Sequence, residues 1–247
     1  MHVFEVFMQK MRYRLLIEYD GHNYAGWQIQ KGQRTIQGEI EHALYTIFKS
    51  RIRLTGGGRT DSGVHARGQS AHFDFTDSYD CERLQRSLNG ILDEDIRIKA
   101  IERVSDKFHA RYSAREREYR YYICRKPVAL QRAYCWYIAY PLNVEQMKKA
   151  ARMLLDMDDF RAYCKLGSGV KHYRCEIKKV DFLQNDDLLT FIIVANRFLY
   201  GMVRSLVGAL VDIGRGRLLA GSVFPTTTGI TWQLAPAQGL VLERIEY

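Results

Sequence analysis

Residues 56–66 of the 247-residue chain read Gly-Gly-Gly-Arg-Thr-Asp-Ser-Gly-Val-His-Ala, the segment richest in groups that could do chemistry. Three glycines let the backbone take shapes closed to other residues and let another molecule approach. Arg59 and Asp61 follow, two positions apart, on the same turn. No GK[ST] follows the glycines, and Asp61 stands where GxGxxG needs its last glycine, so neither phosphate-binding motif is present. Ser62 lacks the GxSxG frame of a nucleophile elbow. Asp61, His65 and His72 have no metal-ligand spacing. What remains is a carboxylate beside a cation. Such a group can act as nucleophile or base without a cofactor when burial and an arginine set its charge and orientation. The plainer alternative is a turn in which Asp61 caps the amide of Gly63.

The elements around this loop are legible from periodicity. Tyr13, Leu15, Ile17 and Tyr19 alternate with Arg12, Arg14, Leu16 and Glu18 and predict a half-buried strand. Thr35 can cap a helix facing inward through Ile36, Ile40, Ala43, Leu44, Ile47 and Phe48. Ile52 and Leu54 predict a second strand, and Ala71, Phe73 and Phe75 a third. Asp80 caps a helix with Leu84, Leu88, Ile91 and Leu92 inward, and Ile96, Ile98 and Ala100 begin a fourth strand. The order is βαββαβ, an α+β ferredoxin-like unit with an antiparallel sheet. A second unit follows the same plan. It has a strand at 117–124, an aromatic stretch at 134–140, and a helix capped by Asn143 with Val144, Met147, Ala151, Leu154 and Leu155 inward. A hairpin at 175–195, an apolar helix at 199–213 and a final strand at 240–246 complete it. The expected organisation is therefore an extension over 1–11, a domain at 12–112 carrying the loop, and a domain at 113–247. The two are tightly joined around a cleft, and 105–117 crosses between them. Met1, Met8 and Met11 are all candidate starts.

The net charge is +9 with a pI near 9.3. Residues 107–126 hold seven Lys/Arg against two acids, and 160–180 hold six against one, both stretches interleaved with aromatic rings. Cations for phosphates beside flat rings for unstacked bases suit RNA; the alternative is two solvated strand faces. No apolar run is long enough to span a bilayer, and the first ten residues lack a signal-peptide pattern. Five widely spaced cysteines without CxxC predict reduced thiols and a cytoplasmic location.

The segment Gly58-Arg59-Thr60-Asp61-Ser62-Gly63-Val64-His65-Ala66 resembles the signature of the tRNA pseudouridine synthase A family. The likeness extends from Arg12 almost to the end. It includes Tyr19-Asp20-Gly21, Gly26-Trp27-Gln28, Thr35-Ile36-Gln37, Phe108-His109-Ala110-Arg111-Tyr112 and Tyr119-Arg120-Tyr121. It continues through Asn196-Arg197-Phe198-Leu199, Met202-Val203-Arg204, Val207-Gly208, Ala235-Pro236-Ala237 and Gly239-Leu240. The resemblance implies an enzyme that isomerises uridines 38, 39 and 40 of the tRNA anticodon stem-loop to pseudouridine. It implies no cofactor and no metal, and a homodimer in which one tRNA touches both subunits. Asp61 becomes the catalytic carboxylate and Arg204 its partner, against the alternative of an arginine reaching solvent. Tyr119 stacks on the flipped base, or is a plain core ring. Leu240 walls the pocket or only fills the core. Arg59 and the Phe108, His109, Ala110, Arg111, Tyr112 segment guide base flipping. The loop at 164–172 is basic but departs from the family pattern.

Overall fold

The computed structural model describes residues 10–76, 78–165, 169–224 and 232–247. Residues 1–9 of the expected extension lie outside them, and Met11 already belongs to the first strand.

The first half runs β1 (Met11–Tyr19), α1 (Ile36–Phe48), β2 (Thr55–Gly56), β3 (His65–Phe75), α2 (Cys81–Ile91) and β4 (Ile96–Val104). The second runs β5 (Glu116–Cys124), β6 (Trp136–Tyr137), α3 (Val144–Met153), β7 (Ile177–Asn185), β8 (Leu188–Ala195), α4 (Met202–Gly214) and β9 (Leu240–Glu246). The three capping side chains perform as their residue types dictate. Thr35, Asp80 and Asn143 accept from the amides of Gly38, Arg83 and Gln146, each satisfying a donor that a helix start leaves orphaned.

One sheet runs through both halves in the order β4-β1-β3-β9-β5-β8-β7, with β2 paired to β3 and β6 to β5. Within each half the strand order is the same, β4-β1-β3-β2 and β9-β5-β8-β7, the ferredoxin-like arrangement. Most pairings are antiparallel. The halves are joined by a parallel contact of β3 with β9, His65 opposite Val241 and Ala66 opposite Leu242. That joint exists because β2 is so short. It pairs with β3 only at Ala71 and His72, which leaves the His65–Ala66 edge open. Leu54, expected in β2, has both backbone groups satisfied by α1 instead. Its amide donates to Glu41 and its carbonyl accepts from Gln37.

Three inward assignments change. Ala100 is exposed and Ile101 buried, because the β1–β4 register slips at Leu16/Ile17 and reverses the faces beyond it. Ile91 and Leu155, at helix ends, are exposed. The last helix starts at Met202 rather than 199, since Gly201 takes the left-handed conformation at φ 71°. Both faces of β3 are covered, so His72, Ser70 and Gln69 are buried along with its apolar residues. The cysteine expectation is corrected as well. Cys124 and Cys135 form a disulfide, their Cα atoms 6.0 Å apart, while Cys81 and Cys175 are free thiols. Spacing hid the pair because the chain returns after 125–135 to lay Trp136 alongside Ile123. No described helix is long and apolar enough to cross a membrane.

Candidate active site

The Asp61 loop fills the gap between β2 and β3 and is built against residues 20–27. The Trp27 amide donates to the carbonyl of Thr60 at 3.1 Å, and the Gly63 amide and Ser62 hydroxyl both donate to the carbonyl of Tyr24. The Thr60 hydroxyl meets that of Tyr19 at 2.8 Å, and Gln69 donates to the carbonyl of Gly58 at 2.9 Å. Gly26 is glycine for a reason. Its φ is +92°, and a Cβ there would stand 2.5 Å from the Thr60 carbonyl. Gly21 packs so tightly on the carbonyl of Val64 that no side chain fits.

With the Gly63 amide already bonded to Tyr24, Asp61 is not the cap of its own turn. Its carboxylate instead receives Nη1 of Arg204 at 3.3 Å. Arg204 stands in the first turn of α4 and is anchored by Nε, which donates to the carbonyl of Ala235 at 2.8 Å. The two side chains are 17% and 18% exposed, so the pair is shielded on most sides but open to an incoming molecule. Burial pushes the Asp61 carboxyl above its ordinary range; the charges of Arg204 and Lys165 and the Arg204 hydrogen bond oppose it. Lys165 escaped sequence reasoning. Its only signal was the basic character of the 164–172 loop, of which Leu166–Ser168 lie outside the described residues.

Tyr119 is buried on β5 with its ring edge-on to Phe198, centroids 5.1 Å apart. Leu240, also buried, stands opposite Tyr121 at the start of β9. Arg59 is exposed on the loop. The 108–112 segment divides. Arg111 and Tyr112 point to solvent, the guanidinium 5.8 Å from the ring centroid. Phe108 packs on Tyr247 and His72, and His109 on His72. Ala110 is fully buried, so its side chain offers RNA no surface. Its amide donates to His72 Nδ1 and its carbonyl accepts from Tyr247, which makes it the segment's anchor.

A second group, to which the sequence reading gave no role, supports the loop from behind. His65 Nδ1 accepts from the Gly21 amide at 3.1 Å, and Asp20 Oδ1 lies 3.0 Å from the same nitrogen. These contacts exclude one another, since one needs a bare nitrogen and the other a protonated one. Burial pushes His65 toward its neutral form against the pull of Asp20. Tyr134 lies over His65 with centroids 5.1 Å apart and donates its hydroxyl to Asp20 at 2.6 Å. Among the described residues, no three His, Cys, Asp or Glu side chains are grouped to hold a metal ion.

The basic stretches are partly neutralised. Arg120 pairs with Glu118, Lys178 with Glu116 and Lys126 with Asp187. The first two are pairs between strand residues and the third joins two turns, so none of these cations is free for phosphate.

The family model described as tRNA pseudouridine synthase matches residues 15–113 and 150–247. The chain belongs to the tRNA pseudouridine synthase A family. It is similar to tRNA pseudouridine synthase A of Bacillus licheniformis, 40% identical over 245 residues that cover 96% of this chain and 99% of the relative. The Bacillus subtilis protein of the same name is 39% identical with the same coverage. A relative from Protochlamydia amoebophila, tRNA pseudouridine synthase A 1, is 40% identical over 95% of this chain and 96% of its own. As a family member the chain is an isomerase that converts uridine to pseudouridine.

Proposed function

We propose that the protein isomerises uridines 38, 39 and 40 in the anticodon stem-loop of tRNA, with Asp61 as the catalytic carboxylate and no cofactor. The observation that carries the reading is the Asp61–Arg204 pair, 3.3 Å apart although 143 residues separate them in sequence. A partly shielded carboxylate held by one arginine and left open on one side is what this chemistry needs. The reaction cuts the bond from uracil N1 to C1′, turns the base, and joins C5 to C1′. N1 gains a proton and C5 loses one, so nothing is oxidised and nothing is added. Asp61 serves by attacking C1′, by adding to the base, or by removing a sugar proton; all three routes use an ionised, oriented carboxylate.

The target bond is inaccessible in a stacked helix, so the uridine must be flipped out at a cost of a few kcal/mol. Arg59, exposed beside Asp61, fills the vacated space or holds a phosphate. Arg111 and Tyr112 present a cation and a ring to the strand, on a segment that Phe108, His109 and Ala110 anchor. Tyr119 and Leu240 line the pocket, the tyrosine stacking on the flipped base. The enzyme works as a cytoplasmic homodimer with one tRNA in contact with both subunits.

The test incubates an unmodified tRNA carrying uridines at 38 to 40 with wild-type protein and with Asp61→Asn, in EDTA, and maps pseudouridine. Product with wild type and none with a variant that still binds is expected. Binding by both proteins and product from neither, on any tRNA, would overturn the proposal.

A further inference from the structure

Arg117 is half-buried on β5, two residues before Tyr119. Its guanidinium makes four hydrogen bonds, all to backbone carbonyls. Nη1 donates to Ala114 at 3.2 Å and Asn196 at 2.6 Å; Nη2 donates to Gly57 at 3.1 Å and Arg111 at 2.7 Å. Among the described residues, no carboxylate lies within ion-pair distance of it.

Three of those carbonyls belong to separate parts of the proposed site. Gly57 opens the loop that carries Asp61, and Arg111 lies in the segment facing RNA. Asn196 begins the turn that carries Phe198, whose ring meets Tyr119 edge-on. No other side chain among the described residues donates to all three segments. A withdrawn cation without a counter-charge is costly, and a neutral amide, with two donors on one atom, could not replace it at four carbonyls. The geometry also demands this residue type. A guanidinium presents donors on a rigid planar fork, whereas a lysine ammonium gathers its three on one atom and cannot span four carbonyls.

We propose that Arg117 is a positioning residue for the isomerisation, setting the Asp61 loop, the 108–112 segment and the turn carrying Phe198 in one fixed relation. This rests on the pseudouridine synthase reading above.

The test compares wild type with Arg117→Lys, which keeps the charge and loses the fork. Single-turnover pseudouridine formation should fall at least 30-fold, while tRNA Kd and Tm change little. Amide hydrogen exchange should rise together at 57–63, 109–115 and 196–200 and stay unchanged elsewhere. A rate within 3-fold of wild type overturns the proposal, and so does a rate loss explained by the unfolded fraction alone. Wild-type exchange gives a reading that needs no variant, because the three segments should share one opening free energy. Three distinct values would overturn the coupling. If wild type makes no pseudouridine on any tRNA the parent reading fails, and the exchange data still decide whether Arg117 couples the segments.

Discussion

Replacing Arg204 with methionine keeps the bulk of the side chain and removes its charge and both of its hydrogen bonds, to Asp61 at 3.3 Å and to the Ala235 carbonyl at 2.8 Å. Two opposite charges about 4 Å apart attract by about 4 kcal/mol at an effective dielectric of about 20, which sets a ceiling. A hydrogen bond to a charged group is worth about 1.5–3 kcal/mol net, and a pair only 17–18% exposed loses little of that to solvent. If the bond orients the carboxylate in the transition state, the rate falls about 10- to 150-fold. A second consequence has its own sign. Burial raises the Asp61 carboxyl and Arg204 opposes it. Removing Arg204 therefore leaves burial less opposed, and the acid limb of the pH–rate profile moves to higher pH. The assay is single-turnover pseudouridine formation with enzyme in excess over unmodified tRNA, from pH 5 to 9. Arg204→Lys restores the charge without the two-ended anchor and should fall between. A methionine variant with an unmoved acid limb and a rate within 2-fold of wild type would show that the ion pair is structural.

Lys165 opposes the burial of Asp61 more weakly and from an exposed position, so Lys165→Gln should shift the same limb upward by less than Arg204→Met. An equal or opposite shift would contradict the electrostatic account. Gly21→Ala drives a methyl into the carbonyl of Val64, three residues beyond Asp61; activity should drop at least 10-fold in a protein that still binds tRNA, and a fully active variant would count against the buttress. Gly208→Ala directs a methyl at the Gln233 carbonyl, and overpacking of this kind costs about 1–3 kcal/mol, seen as a Tm lower by about 2–4 °C per kcal/mol. His72 is held down to about 4 by burial and by Arg12 and His109, with Asp74 opposing. The unfolded chain binds that proton near the ordinary 6.5. Its contribution to stability is therefore full above about 6.5 and is lost as pH falls toward 4, up to about 3 kcal/mol. Denaturant melts at pH 7 and 4.5 should show a shallower loss in His72→Gln, and equal losses would refute the assignment.

Much of the fold was legible because strong periodicity and capping residues agreed with one another. Tyr13, Leu15 and Ile17 are buried as alternation requires, and Thr35, Asp80 and Asn143 cap the helices that their positions announce. The misses share a cause, which is that local pattern cannot see a partner. Ala100 turned outward because a register slip sits between it and Ile98. Leu54 left the sheet because α1 side chains took its backbone groups. Cys124 and Cys135 met because the chain loops round after β5 and β6 pairs parallel to it. The site divides in the same way. Asp61 stood out from its own neighbours, whereas its pairing with Arg204 came only through the family resemblance. The roles of Arg117, Asp20 and Tyr134 gave no local signal, since what distinguishes them is contact with segments remote in sequence.

The joint between the halves explains why the loop sits where it does. Both halves follow one strand order, so β2 and β7 are counterparts, each pairing with the strand that follows it. β7 runs nine residues and returns through a tight turn with Asp186 at φ 47°. β2 runs two residues and then gives way to the loop carrying Asp61. Shortening β2 did two things at once. It freed the chain from 57 to 64 to form that loop, and it bared the edge of β3 at His65 and Ala66, where β9 of the other half now pairs. β9 brings Leu240 and is preceded by Ala235, whose carbonyl anchors Arg204. A full-length β2 would occupy the edge that β9 needs and draw the loop into the ladder. It would thereby separate Asp61 from its arginine, so the carboxylate and the joint that pairs it stand or fall together.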